Sequence, residues 1–75
     1  MIFYKTLCNL ELIADNPSLG LKSKKIILYK GEPFSVVHKQ KDLFDSDVEY
    51  WMNLYGWIIK INKNDLTNIV ENQIS

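Results

Sequence analysis

Four sets of side chains in this chain are of types that can do chemistry. They are the single histidine His38, the single cysteine Cys8, the carboxylates of Asp42, Asp45, Asp47 and Glu49, and the lysines around Tyr29. Histidine titrates near neutrality and can act as a general base. His38 stands between Val37 and Lys39 at the end of an expected strand, with no Ser-His or Cys-His motif around it. It is expected to face solvent. Cys8 could be a nucleophile as a thiolate, but it falls on the apolar phase of a strand pattern, where a small buried hydrophobe is expected. The four carboxylates invite a Ca²⁺ or Mg²⁺ site. An EF-hand, however, needs acidic or amide ligands at loop positions one, three and five, a glycine at six and a glutamate at twelve. The spacing here does not match, so helix capping and a solvated loop are expected instead, with no metal, no cofactor and no catalytic set. Lys22, Lys24, Lys25 and Lys30, with Tyr29, could track single-stranded nucleic acid by charge and stacking. The same lysines, with Lys39 and Lys41, could instead guard a hairpin edge against aggregation.

These groups need elements to position them. Ser46 is spaced to cap a helix, with Glu49 three residues on reaching back to the cap. Gly56 supplies a left-handed stop. Val48, Trp51, Met52 and Tyr55 fall at i, i+3, i+4 and i+7, one face of a helix. The spacing predicts a helix over 47–55, with Asp47 and Glu49 in its first turn, where the helix dipole favours negative charge. Aromatic residues concentrate here as Phe44, Tyr50, Trp51, Tyr55 and Trp57. On this helix Tyr50 and Leu54 form an i, i+4 pair roughly 120–160° from the inward face, at about 100° per residue. With Asp45, Asp47 and Glu49 as a charged rim, they are the expected protein-interaction site. The other arrangement buries the pair beneath a C-terminal helix.

The remaining elements follow from periodicity. Residues 2–13 read as a strand, because Cys8, Leu10 and Leu12 alternate with Asn9 and Glu11. Residues 14–23 hold Asp15, Asn16, Pro17, Ser18 and Gly20 and read as a loop. Residues 24–39 read as a hairpin about Lys30-Gly31-Glu32-Pro33. A strand over 57–62 and a short helix capped by Asn64, carrying Leu66, Ile69 and Val70, complete the order β-ββ-α-β-α. The expected fold is α+β, a small antiparallel sheet with helices packed on one face.

The alternative makes residues 50–54 a strand and the protein all-β. In that version ILYKGEPFSVV resembles the diverging turn of the SH3-type barrels, and YWMNLYGWI resembles their tryptophan strand and distal hairpin. The resemblance covers about half the chain and implies a small barrel. It departs after the distal hairpin, where the family's groove-building proline and tyrosine are replaced by Lys60-Ile61-Asn62. Binding of proline-rich peptides is therefore not implied.

Seventy-five residues are expected to form one domain, 1–75. A single cysteine allows no internal disulfide, so packing or oligomerisation must hold the fold, as in a reducing compartment. The N-terminal stretch carries Lys5, Asn9 and Glu11 among its apolar residues and does not read as a signal peptide. No run approaches the roughly 20 apolar residues of a membrane span. A cytoplasmic location without a membrane partner is expected. Zero net charge argues against a DNA mimic and against a dedicated nucleic-acid binder. All nine cationic side chains are lysine, and the arginine fork used on phosphate and guanine is missing. Abundant Lys, Asn and Ile without Arg is the style of an AT-rich genome, which suggests a phage or mobile element. The expected function is a non-enzymatic protein-binding domain, an accessory or host-modulating protein that occludes or tethers a larger cellular protein, with a homodimer as one form. A single-stranded nucleic-acid or RNA-associated module is the alternative.

Overall fold

Short runs rich in β-branched and aromatic residues recur along the chain, and they fold as strands. The computed structural model describes residues 1–73, which contain β1 (Ile2–Thr6), β2 (Leu10–Asn16), β3 (Leu21–Leu28) and β4 (Phe34–Val36). They also contain β5 (His38–Lys41), β6 (Val48–Met52), β7 (Ile58–Asn62) and β8 (Ile69–Glu71). Helical backbone among the described residues is confined to a 3₁₀ turn, Pro17–Leu19, and a single α-turn, α1 (Lys63–Leu66). The strands form two sheets, in the orders β4-β1-β8 and β3-β2-β7-β6-β5, with antiparallel pairing throughout. β4 and β5 are one run of chain interrupted only at Val37, whose N–H donates to the Met52 carbonyl at 2.8 Å. There the chain leaves one sheet and enters the other.

The period of two decides which side chains meet between the sheets. Leu10, Leu12, Ala14 and Asn16 of β2 face inward, and register sets Leu12 opposite Ile26 and Ala14 opposite Ile59. Tyr4, Val36, Trp51, Ile59, Ile61 and Ile69 complete the buried core, with Ile61 fully covered. The Tyr4 ring centroid lies 4.7 Å from that of Trp51 and 6.1 Å from that of Phe34. Lys39, opposite Trp51 on the edge strand β5, lays its ammonium 4.1 Å from the Trp51 ring centroid and 4.4 Å from that of Tyr4. A lysine stem thus closes the apolar seam at the sheet edge while its charge rests on two ring faces.

The α+β expectation is wrong. Residues 48–52 are a strand bonded on both sides, to β5 and to β7. Val48 and Trp51 are buried as a helix would have them, but Tyr55, their expected companion, is exposed in the turn beyond. The residues Val48, Tyr50 and Trp51 are strand formers, and a helix of about nine residues is marginal unless packing supports it. Ser46 caps nothing: it lies in the turn before β6, while Asp42 and Asp45 accept the local amides. Gly56 does take a left-handed conformation, φ 86°, as the bend of a strand-to-strand turn. The all-β class, the alternative above, is the one observed. ILYKGEPFSVV carries the chain from one sheet to the other, and YWMNLYGWI is two antiparallel strands about a turn.

Four other segments differ. Residues 2–13 are two strands in different sheets, broken at residues 7–9. Residues 14–23 are mostly strand, and β3 pairs with β2 rather than with β4, so residues 24–39 are not a hairpin. The C-terminal helix ends at Leu66; Ile69 and Val70 belong to β8 and pair with β1.

Candidate interaction surface

The structure separates the residues expected to act together. Tyr50 lies on the outer face of β6, half-buried between its cross-strand neighbours Gln40 and Lys60. Leu54 lies beyond the other end of the strand, 56% exposed, with its N–H donating to Ser35 Oγ at 3.2 Å. They share no helical face. Glu49 is turned to the core side, where its Oε1 accepts the Trp51 indole N–H at 3.1 Å. Asp45 and Asp47 do lie together, in the loop of residues 42–47 that joins β5 to β6.

That loop is held by its own carboxylates. Asp42 Oδ1 accepts the N–H of Phe44 at 2.8 Å and of Asp45 at 2.9 Å, and its Oδ2 accepts the Tyr50 hydroxyl at 2.8 Å. Asp45 Oδ1 accepts the Asp47 N–H at 3.0 Å. Backbone bonds join Asp42 N–H to the Val48 carbonyl, 3.0 Å, and Lys63 N–H to the Asp47 carbonyl, 2.7 Å. An aspartate closing turns over the next two or three amides is the usual way a short polar side chain replaces regular structure. The Phe44 amide, foremost, and then the Tyr50 hydroxyl hold the Asp42 carboxyl below its ordinary pKa. The same hydrogen bond is the largest of the effects that raise the Tyr50 phenol above its own. Tyr50 is therefore a strut under the loop.

The loop holds Leu43 and Phe44 out in solvent, 85% and 98% exposed. Sequence reasoning counts Phe44 only among the clustered aromatics and gives Leu43 no role. The signal that could have found the pair was an apolar dipeptide enclosed by Asp42 and Asp45, in a segment with no periodicity to give it an inward face.

A second apolar feature occupies the opposite end of β6. Phe3, Pro33, Phe34, Leu54 and Tyr55, with Ser35 and Asn53, line a cleft of about 310 Å³. The turn of residues 53–57 forms one wall. Asn53 Oδ1 accepts the N–H of Tyr55 at 2.9 Å and of Trp57 at 3.0 Å, and buried Asn16 donates through Nδ2 to the Tyr55 carbonyl at 3.2 Å. Asn16 Oδ1 has no hydrogen-bond partner among the described residues.

The lysines do not form one ribbon. Lys24 stands opposite Ala14 and Lys25 opposite Ile13, so the two leave β3 on opposite faces, and Lys25 pairs with Glu11 at 3.6 Å. Lys22 is exposed beside Ser23, whose positive φ of 51° breaks the alternation. Tyr29 and Lys30 lie past the strand end, where the Tyr29 carbonyl accepts Thr6 Oγ1 and the Lys30 N–H meets Asn9 Oδ1. His38 is exposed on β5. Cys8 is exposed in the β1–β2 loop rather than buried, because that loop interrupts the alternation on which its burial was expected.

Among the described residues no three His, Cys, Asp or Glu side chains stand in a metal-holding group. No described helix is long and apolar enough to cross a membrane. Comparison with protein-family models, curated proteins and solved structures finds no match.

Proposed function

We propose that this chain is a non-enzymatic protein-binding domain that docks on a larger cellular protein through the loop of residues 42–47. The observation that carries this is the near-complete exposure of Phe44 beside Leu43, on a turn bonded at Phe44, Asp45 and Asp47. Large apolar side chains held in water are unfavourable in isolation, and a turn whose backbone is already bonded loses little backbone entropy when a partner covers it. Asp45 and Asp47 remain in the site; Leu43 and Phe44 take the place of Tyr50 and Leu54. An occluding or tethering role in the cytoplasm, for an accessory protein of a phage or mobile element, agrees with the all-lysine, AT-rich coding style. The nucleic-acid alternative is supported less well, since Lys24 and Lys25 diverge and Lys25 is already paired.

The test compares two double variants, L43S/F44S and Y50S/L54S, in affinity capture from the native cell. Burying a Leu and a Phe is worth about 1.5–3 kcal/mol each. L43S/F44S should therefore weaken association by about 10²–10⁴-fold without moving the melting temperature. Undiminished capture by that variant, or an equal loss in Y50S/L54S without unfolding, would overturn the assignment to this loop.

A further inference from the structure

We infer that β3 is a docking edge, to which a partner protein adds an extended acidic segment as a further strand of the larger sheet. This goes beyond the loop reading above and does not depend on it. In the order β3-β2-β7-β6-β5 the loop of residues 42–47 follows the opposite edge, four strand spacings away, about 19 Å at about 4.8 Å each. The two edges of that sheet are built differently. β5 is four residues long and wholly polar, with Lys39 folded over the aromatic seam. Short charged strands of that kind resist further pairing. β3 has eight residues, pairs with β2 alone among the described residues, and ends in Ile26, Ile27 and Leu28. Backbone N–H and C=O groups of a strand point alternately to its two sides, so the outer side of β3 presents a row of free donors and acceptors.

Register fixes what would lie beside an added strand. Lys24, Ile26 and Leu28 stand opposite Ala14, Leu12 and Leu10 and share their inward phase, with Ile26 and Leu28 half-buried against the core. On β2 and β7 that phase carries no carboxylate: its residues are Leu10, Leu12, Ala14, Asn16, Ile59 and Ile61. The acids of β2 belong to the other phase and are engaged there. Glu11 pairs with Lys25 at 3.6 Å, and Asp15 Oδ1 accepts the Ser23 N–H at 2.6 Å. Lys24 is left exposed, without an ion-pair partner among the described residues. The usable edge is residues 24–28. Ser23, at φ 51°, breaks the alternation before it, and beyond it the Lys30 N–H turns to Asn9 Oδ1. Every strand pair in the two sheets is antiparallel. An antiparallel segment reads apolar-x-apolar-x-acidic from its N-terminus: its apolar residues extend the cover over Leu28 and Ile26, and its carboxylate meets Lys24. A second copy fits less well, since pairing β3 with β3 would bring Lys22, Lys24 and Lys25 of both chains to one seam.

Amide spectra of the isotope-labelled full chain, titrated with the end-blocked peptide TVTVTET, test this; its valines supply the apolar positions and its glutamate the acid. The expected result is saturable shifts of the amides of residues 24–28, with slowed hydrogen exchange there and weaker binding as salt rises. K24E, at an exposed position, should bind TVTVTET about tenfold more weakly, with an unchanged melting temperature, and should prefer the lysine counterpart TVTVTKT. L43S/F44S should bind TVTVTET as the unaltered chain does. No shifts at about 1 mM peptide, shifts centred on β5 or on the cleft beside Leu54, or loss of binding in L43S/F44S would overturn the edge proposal. Equal binding of TVTVTKT by the unaltered chain, or indifference to K24E, would overturn its acidic occupant. Broadening of the β3 amides with protein concentration alone would give the edge to a second copy and overturn that occupant too. None of these results bears on capture through Leu43 and Phe44, which stands or falls by its own test.

Discussion

Gly56→Ala probes the turn at the far end of β6 and can be worked through from the geometry. Gly56 sits at φ +86°, where a side chain is strained whatever the space. An added Cβ would stand 3.3 Å from Asn16 Oδ1 and 3.4 Å from Ser18 Oγ. Asn16 is fully buried and pinned by its bond to the Tyr55 carbonyl, so it can yield only by breaking that bond. The left-handed backbone costs about 1–2 kcal/mol and the broken bond about 0.5–1.5 kcal/mol, together about 1.5–3.5 kcal/mol. For a domain of this size that lowers the melting temperature by roughly 10–20 °C. Urea unfolding followed by circular dichroism should be run on G56A, N16A and the double variant. With Asn16 shortened the clash disappears, so G56A should then cost only the backbone strain of about 1–2 kcal/mol, leaving a coupling of about 0.5–1.5 kcal/mol. If G56A costs under about 0.5 kcal/mol, or costs the same in both backgrounds, the Asn16–Gly56 packing is refuted.

Four further outcomes are expected. Ile61→Ala, at the most deeply covered core position, should cost about 2–5 kcal/mol in the same unfolding assay. Lys39→Met keeps the apolar stem over Tyr4 and Trp51 but removes the charge from this exposed position, and should cost about 0.5–1 kcal/mol, with a change in Trp fluorescence. The Asp42 carboxyl is held below the ordinary aspartate value, so its bonds stabilise the folded loop above that value of about 3.9 and are lost as pH falls through the lowered one. The Tyr50 phenol is raised, so its donor proton is secure below the ordinary value of about 10 and the bond is lost as pH rises through the raised one. Amide shifts of Phe44 and Asp45 report the acid limb and tyrosinate absorbance the basic one; D42N should reduce the tyrosine shift. Titration of fluorescent single-stranded oligonucleotides at low salt should show no binding, whereas strongly salt-dependent binding would restore the role of Lys22, Lys24 and Lys30.

What the sequence disclosed was governed by how local each feature is. β7 was legible because Ile59 and Ile61 alternate with Lys60 and Asn62, and both apolar residues are indeed buried. The strand β6 was not, because Val48, Trp51 and Met52 at i, i+3 and i+4 mimic a helical face, whereas in the strand Val48 and Met52 lie on one face and Trp51 on the other. Only the pairing with residues distant in the chain, Lys39 and Ile59 opposite Trp51, selects between them. The false hairpin of 24–39 has the same origin: a turn at Gly31 is readable, but whether its arms pair or part depends on β1 and β2. The acidic run reads as helix capping beside a solvated loop, and only the helix fails, since aspartate before a helix and aspartate closing a turn use the same short acceptor. Tyr50 and Leu54 followed that error, being a pair only on a helix.

Nuclear magnetic resonance tests, without any partner, whether the bonded turn holds Leu43 and Phe44 out in solvent. Backbone relaxation should give Phe44 and Asp45 order parameters near about 0.85, as in the strands, while a soluble gadolinium chelate broadens the Phe44 ring strongly. A mobile loop, with order parameters below about 0.6, or a Phe44 ring shielded from the chelate would contradict it.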